Sequence, residues 1–169
     1  MPTKISRSKN TEQDDEIIIT PTQVRQTALN LLARREHSYY ELKQKLQQRN
    51  YPLELITEQL DRLKSQGLIN ETRFIENFVR SRTQKGYGPI RISAELHQRG
   101  ISTELIEEFV NSTAEHWIEL AKQACIKRFG KKIPKDFAER AKQVRFLQYR
   151  GFGFEQIKYI SRDNLALDE

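Results

Sequence analysis

The side chains best able to do chemistry in this chain are cations, and they come in clusters. Between Lys122 and Arg150 stand Lys122, Lys127, Arg128, Lys131, Lys132, Lys135, Arg140, Lys142, Arg145 and Arg150, against only Asp136 and Glu139. A second cluster, Arg80, Arg82, Lys85 and Arg91, surrounds Gly86-Tyr87-Gly88-Pro89, and a third comprises Arg34, Arg35, Lys43, Lys45 and Arg49. Residues 102–120 are the reverse, holding Glu104, Glu107, Glu108, Glu115 and Glu119 with no Lys or Arg. Segregated charge of this kind makes an oriented electrostatic surface, suited to a polyanion or to an acidic protein face. The candidate contacts are Arg34, Arg35, Arg82, Lys85, Arg91, Lys127, Arg128, Lys131, Lys132 and Arg145, with Tyr87 as an exposed aromatic beside them.

No catalytic constellation accompanies the cations. His37, His97 and His116 are scattered without metal-ligand spacing and read as surface or helix-end residues. Gly130-Lys131 lacks both the Gly five residues before it and the Ser or Thr after the lysine that a phosphate-binding P-loop requires. Cys125 falls on the apolar side of its helix, where a small core residue is the natural reading and a nucleophile is not. The chain is therefore expected to work by binding, with no metal, no cofactor and no substrate of its own to turn over.

The elements that must position these cations repeat. Leu46-Gln47-Gln48-Arg49-Asn50-Tyr51 returns as Leu96-His97-Gln98-Arg99-Gly100-Ile101 and again as Leu147-Gln148-Tyr149-Arg150-Gly151-Phe152, at intervals of fifty and fifty-one residues. Ile56, Ile106 and Ile157 share those offsets, so two features repeat in step. A period of this length marks one small supersecondary unit copied along the chain and stacked on its neighbours.

Each copy reads as three amphipathic helices. In the first, Thr20-Pro21 with Gln23 opens a helix whose Val24, Ala28, Leu31 and Leu32 face inward and whose last turn holds Arg34 and Arg35. Ser38 with Glu41 opens the second over Leu42 and Leu46; Asn50 stops it; Pro52 starts a third with Ile56, Leu60 and Leu63 inward, closed by Gly67. Asn70, Gly88-Pro89 and Ser102 begin the helices of the second copy, over Phe74, Ile75, Phe78 and Val79, then Ile92 and Leu96, then Leu105, Ile106, Phe109 and Val110. In the third, Thr113 leads into a helix with Trp117, Leu120, Ala124 and Cys125 inward; an Asp136/Glu139 box precedes Phe137, Ala141, Val144 and Leu147; Phe154, Ile157 and Ile160 line the last helix. The expected fold is all-α: three tandem three-helix, helix-turn-helix-like repeats in an elongated, curved array. Its boundaries are a mobile tail at 1–19 whose Ile17-Ile18-Ile19 can dock, repeats at 20–69, 70–112 and 113–162, and a C-terminal tail at 163–169.

Composition agrees. Of 169 residues, 37% are hydrophobic, lean for a compact globule but too many for a disordered chain, and the net charge is +6. A single cysteine forbids an internal disulfide and suits a reducing compartment. No run reaches eighteen apolar residues and no secretory signal opens the chain, so a cytoplasmic monomer without membrane contact is expected.

The segments Leu32-Ala33-Arg34-Arg35-Glu36-His37-Ser38, Gly67-Leu68-Ile69-Asn70-Glu71-Thr72-Arg73-Phe74 and Gly86-Tyr87-Gly88-Pro89-Ile90-Arg91-Ile92 resemble, in order and spacing, the RecX family of bacterial recombinase regulators. The resemblance spans about residues 21–160. It implies tandem three-helix units and a negative modulator of RecA that lies in the groove of the RecA filament on single-stranded DNA. There it would suppress ATPase, strand-exchange and co-protease activities, with weak direct DNA contact. The competing reading is a helix-turn-helix transcriptional regulator, since a short turn joins helices two and three. Against it, the third helices open with Glu54 and Glu58, then Glu104, Glu107 and Glu108, which a phosphate backbone would repel. A nuclease is disfavoured by the missing carboxylate and histidine clusters.

Overall fold

The computed structural model describes residues 19–111, 115–131 and 133–166, with side chains through Ser161. Among these residues the chain forms nine helices and no strand: α1 Pro21–Leu32, α2 Tyr39–Gln47, α3 Leu53–Ser65, α4 Glu71–Gln84, α5 Pro89–His97, α6 Thr103–Phe109, α7 His116–Phe129, α8 Phe137–Arg150 and α9 Phe154–Ala166. They fall into three successive bundles of three.

Local signals fix the helix ends. Thr20 and Gln23 form a reciprocal capping box on α1 with Pro21 inside the first turn. Ser38, Asn70, Ser102 and Asp136 each accept a backbone N–H three residues on. Thr113 and the chain entering α7 at 112–114 lie outside the described residues, and Glu115 precedes α7 in helical conformation with no side-chain cap.

Several expectations are corrected. Arg34 and Arg35 lie beyond α1, which ends at Leu32, because Arg35 turns instead to the Glu41 carboxylate at 2.9 Å. Glu41 does not close a capping box; its carboxylate is taken by Arg35 and Arg99. Glu139 accepts from the Lys135 amide at 2.9 Å, one residue before the Asp136 cap. Phe137 and Phe154, expected inward, are 84% and 72% exposed, each in the first turn of its helix. His37, expected at the surface, is buried, with Nδ1 3.0 Å from the Arg35 carbonyl. The last helix runs to Ala166, so residues 163–166 are helical where a tail was expected.

The interior divides in two. Val24, Ala28, Leu42, Leu46, Ile56, Leu60, Leu63 and Ile69 form one core within the first bundle, against which Ile19 packs. Fifteen buried residues from Phe74 to Ile160 form a second core that spans both remaining bundles, centred on Ile92, Leu96, Trp117, Ala121 and Leu147. Each fully buried Leu or Ile contributes about 1.5–3 kcal/mol through loss of apolar surface from water. Cys125 belongs to this second core, and burial pushes its thiol pKa up, as befits a packing residue.

The repeated turn joins the bundles. The Ser38 hydroxyl at the start of α2 donates to the Arg99 carbonyl at 2.7 Å. Fifty residues on, the Gly88 amide at the start of α5 donates to the Arg150 carbonyl at 2.8 Å, and the Ile90 amide to the Gly151 carbonyl at 3.0 Å. The turn after the second helix of one bundle thus seats on the start of the second helix of the bundle before it. Gly100 and Gly151 have φ of 76° and 87°, and a Cβ at Gly100 would stand 2.6 Å from that of Tyr40. Asn50, φ 59°, occupies the corresponding turn of the first bundle, and Asn is among the residues that tolerate the left-handed conformation.

Candidate functional site

The fold gathers the separate basic clusters onto connected grooves. One groove, about 440 Å³, runs between the end of α4, α7 and α8; Lys85, Lys127, Arg128 and Arg150 rim it, and Leu120, Ala124 and Phe146 floor it. A second, about 340 Å³, lies between the end of the first bundle and α4, lined by Arg35, Arg82, Lys85 and Arg99 with Glu36 and Phe78. Lys85 lines both grooves, so one basic band touches all three bundles.

Within the band the cations divide by their partners. Arg82 and Arg91 both reach the half-buried Glu95 carboxylate, at 2.7 and 3.0 Å. The Arg82 Nε approach lies off the hydrogen-bond direction, so that contact is an ion pair without a formal hydrogen bond. Arg35 and Arg99 share Glu41 at 2.9 and 3.2 Å. Tyr87, expected exposed, is half-buried against the second core, and three guanidiniums crowd its ring: Arg91 at 4.3 Å, Arg150 at 5.0 Å and Arg82 at 5.6 Å from the centroid. The hydrogen bond to the Glu95 carboxylate pushes the Arg91 pKa further up. A guanidinium already held by a carboxylate offers an incoming anion less than a free one. Arg35, Arg82 and Arg91 are therefore joinery first, and the Gly86-Tyr87-Gly88-Pro89 segment is the seam between the second and third bundles.

Arg34, Lys85, Lys127, Arg128, Lys131 and Arg145 are exposed and make no ion pair among the described residues. Lys85, Lys127 and Arg128 converge on the larger groove; Lys131 follows Gly130 outside it, and Arg145 faces out from α8 away from it. Lys132 lies outside the described residues. Arg99 and Arg150, not among the sequence candidates, also line the grooves, and both stand in the repeated turn, where one Arg precedes each Gly. Among the described residues no group of His, Cys, Asp or Glu is placed to hold a metal ion, and no helix is long and apolar enough to cross a membrane.

Three stacked three-helix bundles carrying a continuous cationic band define a helical-repeat protein. Comparison with known proteins is specific. Residues 25–63, 70–109 and 114–160 match the first, second and third three-helix domains of RecX, and the chain belongs to the RecX family. It is 45% identical over 141 residues to "Regulatory protein RecX" of Pseudomonas savastanoi pv. phaseolicola (strain 1448A / Race 6), covering 83% of this chain and 91% of that one. Identity to the protein of the same name from Pseudomonas putida (strain GB-1) is 44%, covering 83% and 90%. The fold is similar to that of crystalline RecX from Lactobacillus salivarius, with a TM-score of 0.71 at 21% identity over 85% of this chain and 96% of that one. A second crystal structure, of regulatory protein RecX, gives 0.70 at 22% identity over 85% and 71%.

Proposed function

We propose that this regulatory protein acts on RecA, lying in the groove of the RecA filament on single-stranded DNA and suppressing its ATPase, strand-exchange and co-protease activities. The observation that carries the reading is the basic band that crosses all three bundles of a RecX-family chain. An extended array can touch successive subunits of a helical filament, where a compact domain of equal mass would touch one, and contacts in series multiply affinity. In this reading Lys85, Lys127 and Arg128 meet acidic filament surface and exposed phosphate, while Arg35, Arg82 and Arg91 keep the band in shape.

The helix-turn-helix alternative loses ground on the same geometry. The turns at Gly100 and Gly151 are seated against the preceding bundle, and the first-turn glutamates Glu54 and Glu104 are exposed. Neither feature suits a duplex reader.

The test adds the protein at substoichiometric ratio to RecA, ATP and single-stranded DNA and follows ATP hydrolysis and filament length. Reduced hydrolysis with shortened or destabilised filaments is the expected result. No effect on either would overturn the reading.

A further inference from the structure

At the outer edge of the seam stands an aromatic that packs into neither core. Tyr149 is 75% exposed on the outer face of α8. Lys142 and Arg145 precede it at seven and four residues, on the same face of the helix, both exposed and without an ion pair among the described residues. Behind the ring sits Arg91, its guanidinium carbon 5.5 Å from the Tyr149 centroid and 4.3 Å from that of Tyr87. That guanidinium is itself fixed: Nε is held by Glu95 at 3.0 Å, and Nη1 points to the Tyr149 carbonyl at 3.5 Å. The order Tyr87, Arg91, Tyr149 is therefore a short stack, buried at one end and open at the other.

We propose that Tyr149 is a stacking platform for an unpaired nucleobase, with Arg145 and Lys142 taking the adjoining phosphates of a single strand. Binding of single strands without sequence readout combines cations that track the backbone with aromatic faces on which bases stack. Both are here within one helix face. The surrounding charge also selects against a protein occupant that stacks through its own guanidinium, because Arg91 already lies over the ring at 5.5 Å and Lys142 and Arg145 add positive charge on the same helix face. A ligand that is flat, apolar on its face and anionic along its edge satisfies every neighbour. The inference rests on the reading that the basic band meets DNA, and adds that bases as well as phosphates are held.

The test compares two strands of equal length on the full chain: oligothymidylate, and an oligomer of abasic sites with the same number of phosphates. Tyr149→Ala should weaken oligothymidylate binding about tenfold and leave the abasic strand unchanged, while Tyr149→Phe should bind both as the parent does. Because the side chain is exposed, helicity by circular dichroism should be the same in all three proteins. Equal weakening on both strands, or on neither, would overturn the platform while leaving the phosphate contacts standing. Weaker binding of Tyr149→Ala to the RecA filament with both strands unaffected would assign the ring to a protein contact and equally overturn it. If the parent chain bound neither strand, the platform and the DNA half of the proposed function would fail together.

Discussion

The hydroxyl of Ser38 donates to the carbonyl of Arg99 at 2.7 Å, tying the start of one helix to a turn sixty-one residues ahead. Its counterpart, Gly88 to Arg150, makes the same tie one repeat later through a backbone amide. Glycine at the seated turns is thus demanded twice, by the left-handed backbone and by the neighbour. Gly151→Ala, whose new Cβ would overlap Arg91, should lower unfolding free energy by more than about 2 kcal/mol, since left-handed backbone alone costs a side chain about 1–2 kcal/mol. Gly130→Ala, at φ 82° with nothing near, should show only the backbone part, and Asn50→Gly should change stability by less than about 1 kcal/mol. Urea denaturation of the three variants checks the order.

Glu95 bridges Arg82 and Arg91 from a largely enclosed position. Glu95→Gln would leave two guanidiniums facing each other with a neutral partner, and should cost about 1–3 kcal/mol. Combining it with Arg82→Gln should cost less than the sum of the single losses, because the two groups share one interaction. Additive losses in a double-mutant cycle would mean that the pair is decorative.

His37 gives a pH dependence. Burial, reinforced by the nearby Arg35 charge, holds its pKa below the ordinary 6.5, with Glu41 opposing and Lys45 assisting. A carbonyl can only accept, so the contact to Arg35 requires a proton on Nδ1 and leaves Nε2 bare in the folded neutral ring. The unfolded chain therefore takes up a proton at higher pH than the folded one. The contribution is present above pH 6.5 and falls away as the pH drops below it. Thermal melts at successive pH values from 7.5 to 5 should show the parent losing stability faster than His37→Gln, as on the order of one proton of linkage requires.

Filament binding should be strongly salt-dependent if the free lysines and arginines displace counterions. Lys127→Glu with Arg128→Glu should weaken filament binding by more than tenfold on the order of two lost contacts, and flatten the slope of log affinity against log salt by about 1–2. Helicity should be unchanged. A parent whose binding did not vary between low and physiological salt would refute the electrostatic account.

The helix ends were legible because their causes are local: Thr20, Ser38, Asn70, Ser102 and Asp136 each act within three residues. So was the alignment of Ile56, Ile106 and Ile157, all buried. What the sequence hid is what depends on a neighbouring bundle. Glu41 looks like the end of a capping box until Arg99 arrives from the next repeat, and Tyr87 looks exposed until three guanidiniums close over it. Phe137 and Phe154 fit an apolar stripe when counted along the helix. They sit in first turns that project past the packed faces, where Gln143 and Gln156 take the buried positions. The charge clusters were visible, but only the fold tells a paired Arg82 from a free Lys85.

The divided interior has a consequence for how the molecule fails. The first bundle keeps its buried apolar core to itself and meets its neighbour through a hydroxyl, a shared carboxylate, the Arg73–Glu36 pair at 2.9 Å and the close approach of Tyr40 to Gly100. The other two melt, if they melt, as one. Cooperative units follow shared cores, so a lesion at Leu42 is quarantined in the first bundle, whereas one at Leu96 is felt as far as Ile160.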